Sequence, residues 1–167
     1  KKNQYASPQN VFHISGKTSA DILKIIEINA PKIIQNIKET EITENQRIIS
    51  QSLLNTKTIT NKFHISLKIP KGYLYVLQEN NFVWLKKEIT SGNTSILIYQ
   101  VPISSIKKEP NAIANIIKMR DSIGDLYISG TEPDTRMITE EGYAPYLFKI
   151  KLVGKETFET KGTWELK

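Results

Sequence analysis

Cysteine is absent from the 167 residues, which removes disulfides, thiolate metal ligands and cysteine nucleophiles together. The absence fixes no compartment, because a cytosolic enzyme and a periplasmic domain can both lack the residue. Histidine occurs only as His13 and His64. Each alternates with apolar neighbours, and neither has an H-x-x-x-H or carboxylate spacing around it, so no metal ligand set is expected. Arginine is scarce too, with three residues against 20 lysines. Arginine offers the planar fork that suits phosphates and guanine edges, whereas lysine is a hydrated point charge. The net charge is +6 and the isoelectric point near 9.4, but the lysines are scattered rather than clustered. With 26 isoleucines and 12 asparagines beside them, this is the residue usage of an AT-rich coding sequence, and no nucleic-acid partner is expected. No apolar run approaches the ~20 residues of a membrane span, and no signal peptide is expected within these residues.

What is there is the composition of a globular chain, 39% hydrophobic and 24% charged, long enough to bury a core without staples. The expectation is a single α+β domain over residues 1–167. Both ends read as interrupted, because "GTWELK" looks like a strand in mid-course, so the domain is expected to be part of a longer protein.

The periodicities give an order of elements. "NVFHIS" (10–15) has a β-type pattern. "GKTSADILKIIEINA" (16–30) opens a helix, with Thr18 or Ser19 as N-cap and Asp21 in the first turn. Pro31 interrupts, so a second or kinked helix is expected from about 31 to 54. In "NKFHISLKIPKG" (61–72), Phe63, Ile65, Leu67 and Ile69 alternate with polar residues, which predicts a half-buried strand. "YLYVL" (73–77) and "FVWLKK" (82–87) flank a hairpin connection, and "SILIYQVP" (95–102), apolar on both faces, reads as a central strand. "NAIANIIKMRDSIG" (111–124) predicts a helix stopped at Gly124. "YLFKIKLV" (146–153) and "TFETKGTWEL" (157–166) complete the set. A three-residue Gly154–Glu156 loop between these last two would put Leu152 opposite Phe158 and Lys151 opposite Glu159. The order is β-α-α-β-β-β-β-α-β-β. It predicts the α+β class, with a mainly antiparallel sheet and helices packed on one face.

Few motifs carry chemistry. "SGKTS" (15–19) imitates the end of a phosphate loop, but Val11 stands where the full pattern needs glycine, so a glycine turn and a helix cap are the better reading. No serine lies in a nucleophile turn. Tyr73, Tyr75, Phe82 and Trp84 could form a stacking platform, although core packing explains them as well. "DSI" (121–123) matches a three-residue O-glycosylation pattern, a weak signal. The densest cluster is "GTEPDTRMITEEGYAPY" (130–146), where Glu132, Asp134, Glu140 and Glu141 surround Arg136, with Tyr143 close by. A pair of carboxylates in different environments can do acid–base work on a glycoside. Against that, Arg136 would keep its neighbours ionised, and carboxylates beside glycine, proline and threonine are what a solvated loop contains. The expectation is a surface loop with a docking role and no catalytic residues, metal or cofactor. The alternative is an envelope hydrolase or glycan-binding module using this loop.

The stretches "FHISLKIPKGYLYVLQENNFVWLKKE", "IIKMRDSIGDLYISG" and "MITEEGYAPYLFKIKLVGKETFETKGTWELK" resemble a Bacteroidetes envelope lipoprotein family, domain of unknown function 4837 (DUF4837). The motifs "IPKGY", "NFVWLKKE" and "GTWE" occur in its order. The similarity also takes in "PQNVFHISGKTSADILKIIEINAPKIIQNIKETE", and so nearly the whole chain. The resemblance implies a longer lipoprotein held at the outer membrane or in the periplasm by a lipid anchor, which is expected to lie outside these residues. It brings no activity, cofactor or catalytic residue. An accessory component that binds other outer-membrane or periplasmic proteins is the function it favours.

Overall fold

A computed structural model describes residues 1–106, 111–130, 132–140 and 142–167. They divide into two compact units, Lys1–Gln100 and Val101–Lys167.

In the first unit, residues 11–15 form no strand, and Asn10 makes only an isolated bridge to Lys2. This segment runs beside helix α1 (Ser19–Ile49) instead, and the Asn10 amide donates to Asn36 O and to Thr40 Oγ1. Thr18 caps α1 as expected: its Oγ1 accepts from the Asp21 N–H, while the Asp21 carboxylate accepts from the Thr18 N–H. Pro31 lies inside this one helix rather than between two. The half-buried stripe through Ile22, Ile25 and Ile33 stays in phase across it, so continuing the helix preserves more contact than breaking it would.

The expected strand 61–72 is not formed either. Residues Lys57–Phe63 are helix α2, which ends at His64 in the left-handed region (φ 54). The alternation beyond it is real in burial, with Ile69 buried and Leu67 half-buried, but its only pairing is a bridge between Leu53 and Pro70. Alternation reports which side faces the core, and it does not supply a neighbouring strand.

Strands β1 (Leu74–Gln78), β2 (Phe82–Ile89) and β3 (Gly92–Tyr99) form an antiparallel sheet in the order β1-β2-β3. The central strand is therefore β2, and "SILIYQVP" contributes an edge. Its two apolar faces have separate causes. Ile96 and Ile98 join the core built on Ile59 of α2, Ile69, Val83 and Leu85, while Tyr99 and Leu97 lie across from Phe82 and Trp84 on the other face.

The second unit has a short 3₁₀ turn (Ile103–Ser105), helix α3 (Ala112–Tyr127) and strands β4 (Met137–Thr139), β5 (Tyr146–Leu152), β6 (Lys155–Lys161) and β7 (Trp164–Leu166). The run 157–166 thus holds parts of two strands. β4 pairs with β7 and β5 with β6, both antiparallel. Gly124 does not stop α3. It lies buried within the helix, and a Cβ there would stand 2.5 Å from Met137 O, so its function is to let β4 approach the helix backbone.

The β5–β6 register corrects the expected loop. Leu152 sits opposite Lys155, Lys151 opposite Glu156 and Lys149 opposite Phe158. The turn has two residues, Val153 and Gly154, both at positive φ (50 and 77), as a type I′ hairpin requires. Leu152 and Phe158 therefore occupy opposite faces of the hairpin. The class remains α+β with antiparallel pairing, distributed among the described residues over three small sheets. The helices also differ in how they are used: α2 buries Ile59 and α3 buries Ala112 and Ile116, whereas α1 buries no residue.

Candidate functional site

The cluster at 130–146 is built around β4. Beyond α3, Ser129 bridges to Arg136 and the chain turns back on itself, with Thr135 Oγ1 donating to Glu132 O at 2.7 Å. Gly130 permits the tight closure, since a Cβ there would lie 2.3 Å from Thr135 Oγ1. Asp134, at φ 63, takes the left-handed position that aspartate tolerates in turns. The strand that follows is clamped on two sides. Arg136 exchanges backbone hydrogen bonds with Lys167, and the Glu140 N–H donates to Thr163 O. From the helix side, Asp121 Oδ1 accepts from both the N–H (2.9 Å) and the hydroxyl (2.7 Å) of Thr139, which is only 5% exposed.

This construction decides which predicted residues come together. Arg136 makes an ion pair with Asp125 of α3, at 3.6 Å, and among the described acidic residues of its own loop none pairs with it. Glu140 folds locally, its Oε1 accepting from the Gly142 N–H at 2.7 Å. Arg136 and Glu140 line an open groove of about 530 Å³ together with Lys118, Asp121, Asp125 and Thr139. Glu132 and Asp134 are exposed and do not line it, and Tyr143 is 69% exposed. Glu141 lies outside the described residues. Hence no two of Glu132, Asp134 and Glu140 face each other across the groove, as an acid–base pair on a glycoside would require.

Asp121 and Asp125 are the acidic members of the groove that sequence reasoning missed. Their spacing of four residues puts them on one face of α3, a signal that was present in "RDSIGD". Behind them, Arg120 stacks 3.6 Å from the centre of the Trp164 ring, a cation–π contact that fastens the helix to β7. The Ser122 hydroxyl donates to Lys118 O within the helix.

The strand aromatics form no single platform. Tyr75 pairs opposite Leu85 and packs with Tyr73 on the core, while Phe82 and Trp84 belong to the other face of β2. Their polar atoms are engaged: Tyr75 OH with Asn55 O, Tyr73 OH with Thr94 Oγ1, and Trp84 Nε1 with Ser95 Oγ. Among the described residues, no group of three or more His, Asp or Glu side chains is arranged to hold a metal ion, and no helix is long and apolar enough to cross a membrane.

Fold and groove together define an α+β domain whose clustered charges sit on a clamped strand and its flanking turns. The chain belongs to the family described as "Domain of unknown function (DUF4837)", which matches residues 52–167. Residues 1–50 match a second family, "Domain of unknown function (DUF8532)", so the resemblance expected over nearly the whole chain resolves into two adjoining matches. No curated protein and no solved structure matches the chain.

Proposed function

We propose that this is a non-catalytic accessory domain of an envelope lipoprotein, which docks other outer-membrane or periplasmic proteins through the 130–146 segment and the groove beside it. The observation that carries the reading is the contrast between frame and side chains in that segment. The strand at its centre is held at Arg136, Thr139 and Glu140 by Lys167, Asp121 and Thr163, while Glu132, Asp134, Arg136 and Tyr143 face solvent. A fixed frame that presents exposed charged and aromatic groups suits recognition of a partner surface, because little ordering entropy remains to be lost on binding. Glu132 and Asp134 lie off the groove that Glu140 lines, which favours docking over hydrolysis by those loop carboxylates. Anchoring by lipid and residence in the envelope come from the family resemblance.

The test is a pull-down of the tagged full-length protein from mildly solubilised native envelopes, read by mass spectrometry. The wild type retains a stoichiometric envelope protein, and the Glu132→Lys/Asp134→Lys double variant loses it with the fold unchanged by circular dichroism. A clean bait, or a partner held equally by the double variant, overturns docking at this segment.

A further inference from the structure

Among the described residues, the β5–β6 hairpin is a sheet of two strands only, with no third strand paired to either edge. A lone two-stranded hairpin is marginal in water. This one also leaves apolar groups uncovered, with Phe148 45% and Leu152 59% exposed on one face. An unpaired strand edge is a template for another chain. We propose that β6 pairs edge to edge with β6 of a second copy of this protein, antiparallel about a two-fold axis at Thr157.

The choice of edge and register follows from charge. In a two-residue type I′ hairpin the pair flanking the turn, Leu152 and Lys155, is hydrogen-bonded, and narrow and wide pairs alternate from there. Glu156, Phe158 and Thr160 consequently direct their backbone N–H and C=O groups outward. A two-fold contact is isologous, so the strand must complement its own reverse. Centred on Thr157, Lys155 of each copy lies opposite Glu159 of the other, and the two threonines meet on the axis. Centred on Phe158, Lys155 would face Lys161. Centred on Glu159, that carboxylate would face itself. Centred on Thr160, Glu159 would face Lys161, but the strands would overlap over residues 159–161 alone. Like charges directly opposite are unfavourable and opposite charges favourable, so the Thr157 register is the one that combines opposite charges with a long overlap.

The edges of β5, β1 and β3 carry no acidic residue, so none of them offers an opposite-charge pair with itself. Self-pairing of β5 about Lys149 sets that lysine against itself, and pairing about Ile150 sets Lys149 against Lys151. The outer strand β1 is irregular between Tyr75 and Leu77, and β3, "GNTSILIY", has no charge to fix a register. One edge strand per copy buries less than a stable interface needs, so the dimer is weak and concentration-dependent. Thr157 lies outside the 130–146 segment, so this pairing and docking there stand or fall separately.

The absence of cysteine makes the test clean. On the axis, Thr157 forms a non-hydrogen-bonded pair with Cα atoms about 4.5 Å apart, within disulfide reach. Two Thr160 residues would be offset by about 20 Å along the strands. In the full 167-residue chain under mild oxidation, Thr157→Cys is expected to form disulfide dimers at least tenfold faster than Thr160→Cys. Adding Glu159→Lys should slow this several-fold, and adding Lys155→Glu to that variant should restore it. Equal rates at the two positions, no rescue by the charge swap, or a wild-type chain that sediments as a monomer up to millimolar concentration would overturn the proposal.

Discussion

Gly124 and Tyr75 show how single side chains set the limits of this fold. At Gly124 the backbone of Met137 occupies the space a methyl group would need, at 2.5 Å, and backbone cannot move aside as a flexible side chain can. Gly124→Ala is therefore expected to lower stability by about 2–3 kcal/mol, the upper range for overpacking, as read from the urea midpoint. The same glycine explains why α3 was expected to stop too early: a glycine near a helix end signals a cap, while a glycine needed for close approach looks identical in sequence. Tyr75 places its hydroxyl on Asn55 O at 2.9 Å, and burial pushes its phenol above the ordinary value. The folded protein thus holds this proton more tightly than the unfolded chain does. Its contribution is complete below the unfolded value of about 10 and is lost as pH rises through the raised value. The wild-type urea midpoint should fall above about pH 10, and Tyr75→Phe should reduce that fall while costing roughly 1 kcal/mol at neutral pH from the lost hydrogen bond. An unchanged alkaline profile in Tyr75→Phe would show that other groups account for it.

At the scale of elements, what was legible depended on the kind of signal. The α1 cap at Thr18 and Asp21, the β1–β2 connection and the existence of α3 were readable, because each is written in neighbouring residues. Pairing was not. "SILIYQVP" is apolar on both faces, yet it is an edge strand, since burial of a face and possession of two neighbours are separate properties. The 61–72 alternation likewise marked burial without a strand. In the candidate site, Arg136 and Glu140 were identified but Asp121 and Asp125 were not, because the loop was read alone and not against the helix before it. The β5–β6 turn failed for a different reason. Val153, a β-branched residue, occupies φ 50, where such residues are disfavoured, so nothing in its side chain announced a type I′ turn. This strain is removable. Val153→Asn keeps the turn with a residue that accepts positive φ and should stabilise the hairpin by about 1 kcal/mol. Hydrogen exchange at the β5–β6 amides should slow by roughly fivefold, and faster exchange would count against the turn assignment.

At the scale of the molecule, the arrangement of matches and the arrangement of the core carry the same implication. The family match over 52–167 begins just after α1 ends at Ile49. Every member of the main core cluster, Ile59, Ile69, Val83 and Leu85 with the side chains packed on it, lies beyond residue 51. Helix α1 buries no residue, and Asn10 of the N-terminal segment bonds back onto α1 itself. A long helix without buried side chains adds little to global stability, because most helical stability in proteins comes from packing. The expectation of one domain over 1–167 is therefore best tested by cutting the chain at Gln51. Residues 52–167 alone are expected to fold cooperatively, to keep the β-sheet circular dichroism of the full chain, and to unfold within about 1 kcal/mol of it in urea. Residues 1–50 alone should show only partial helicity. Loss of cooperative unfolding in the 52–167 piece would mean that α1 supports the core through its half-buried stripe, and the two family matches would then be parts of a single folding unit.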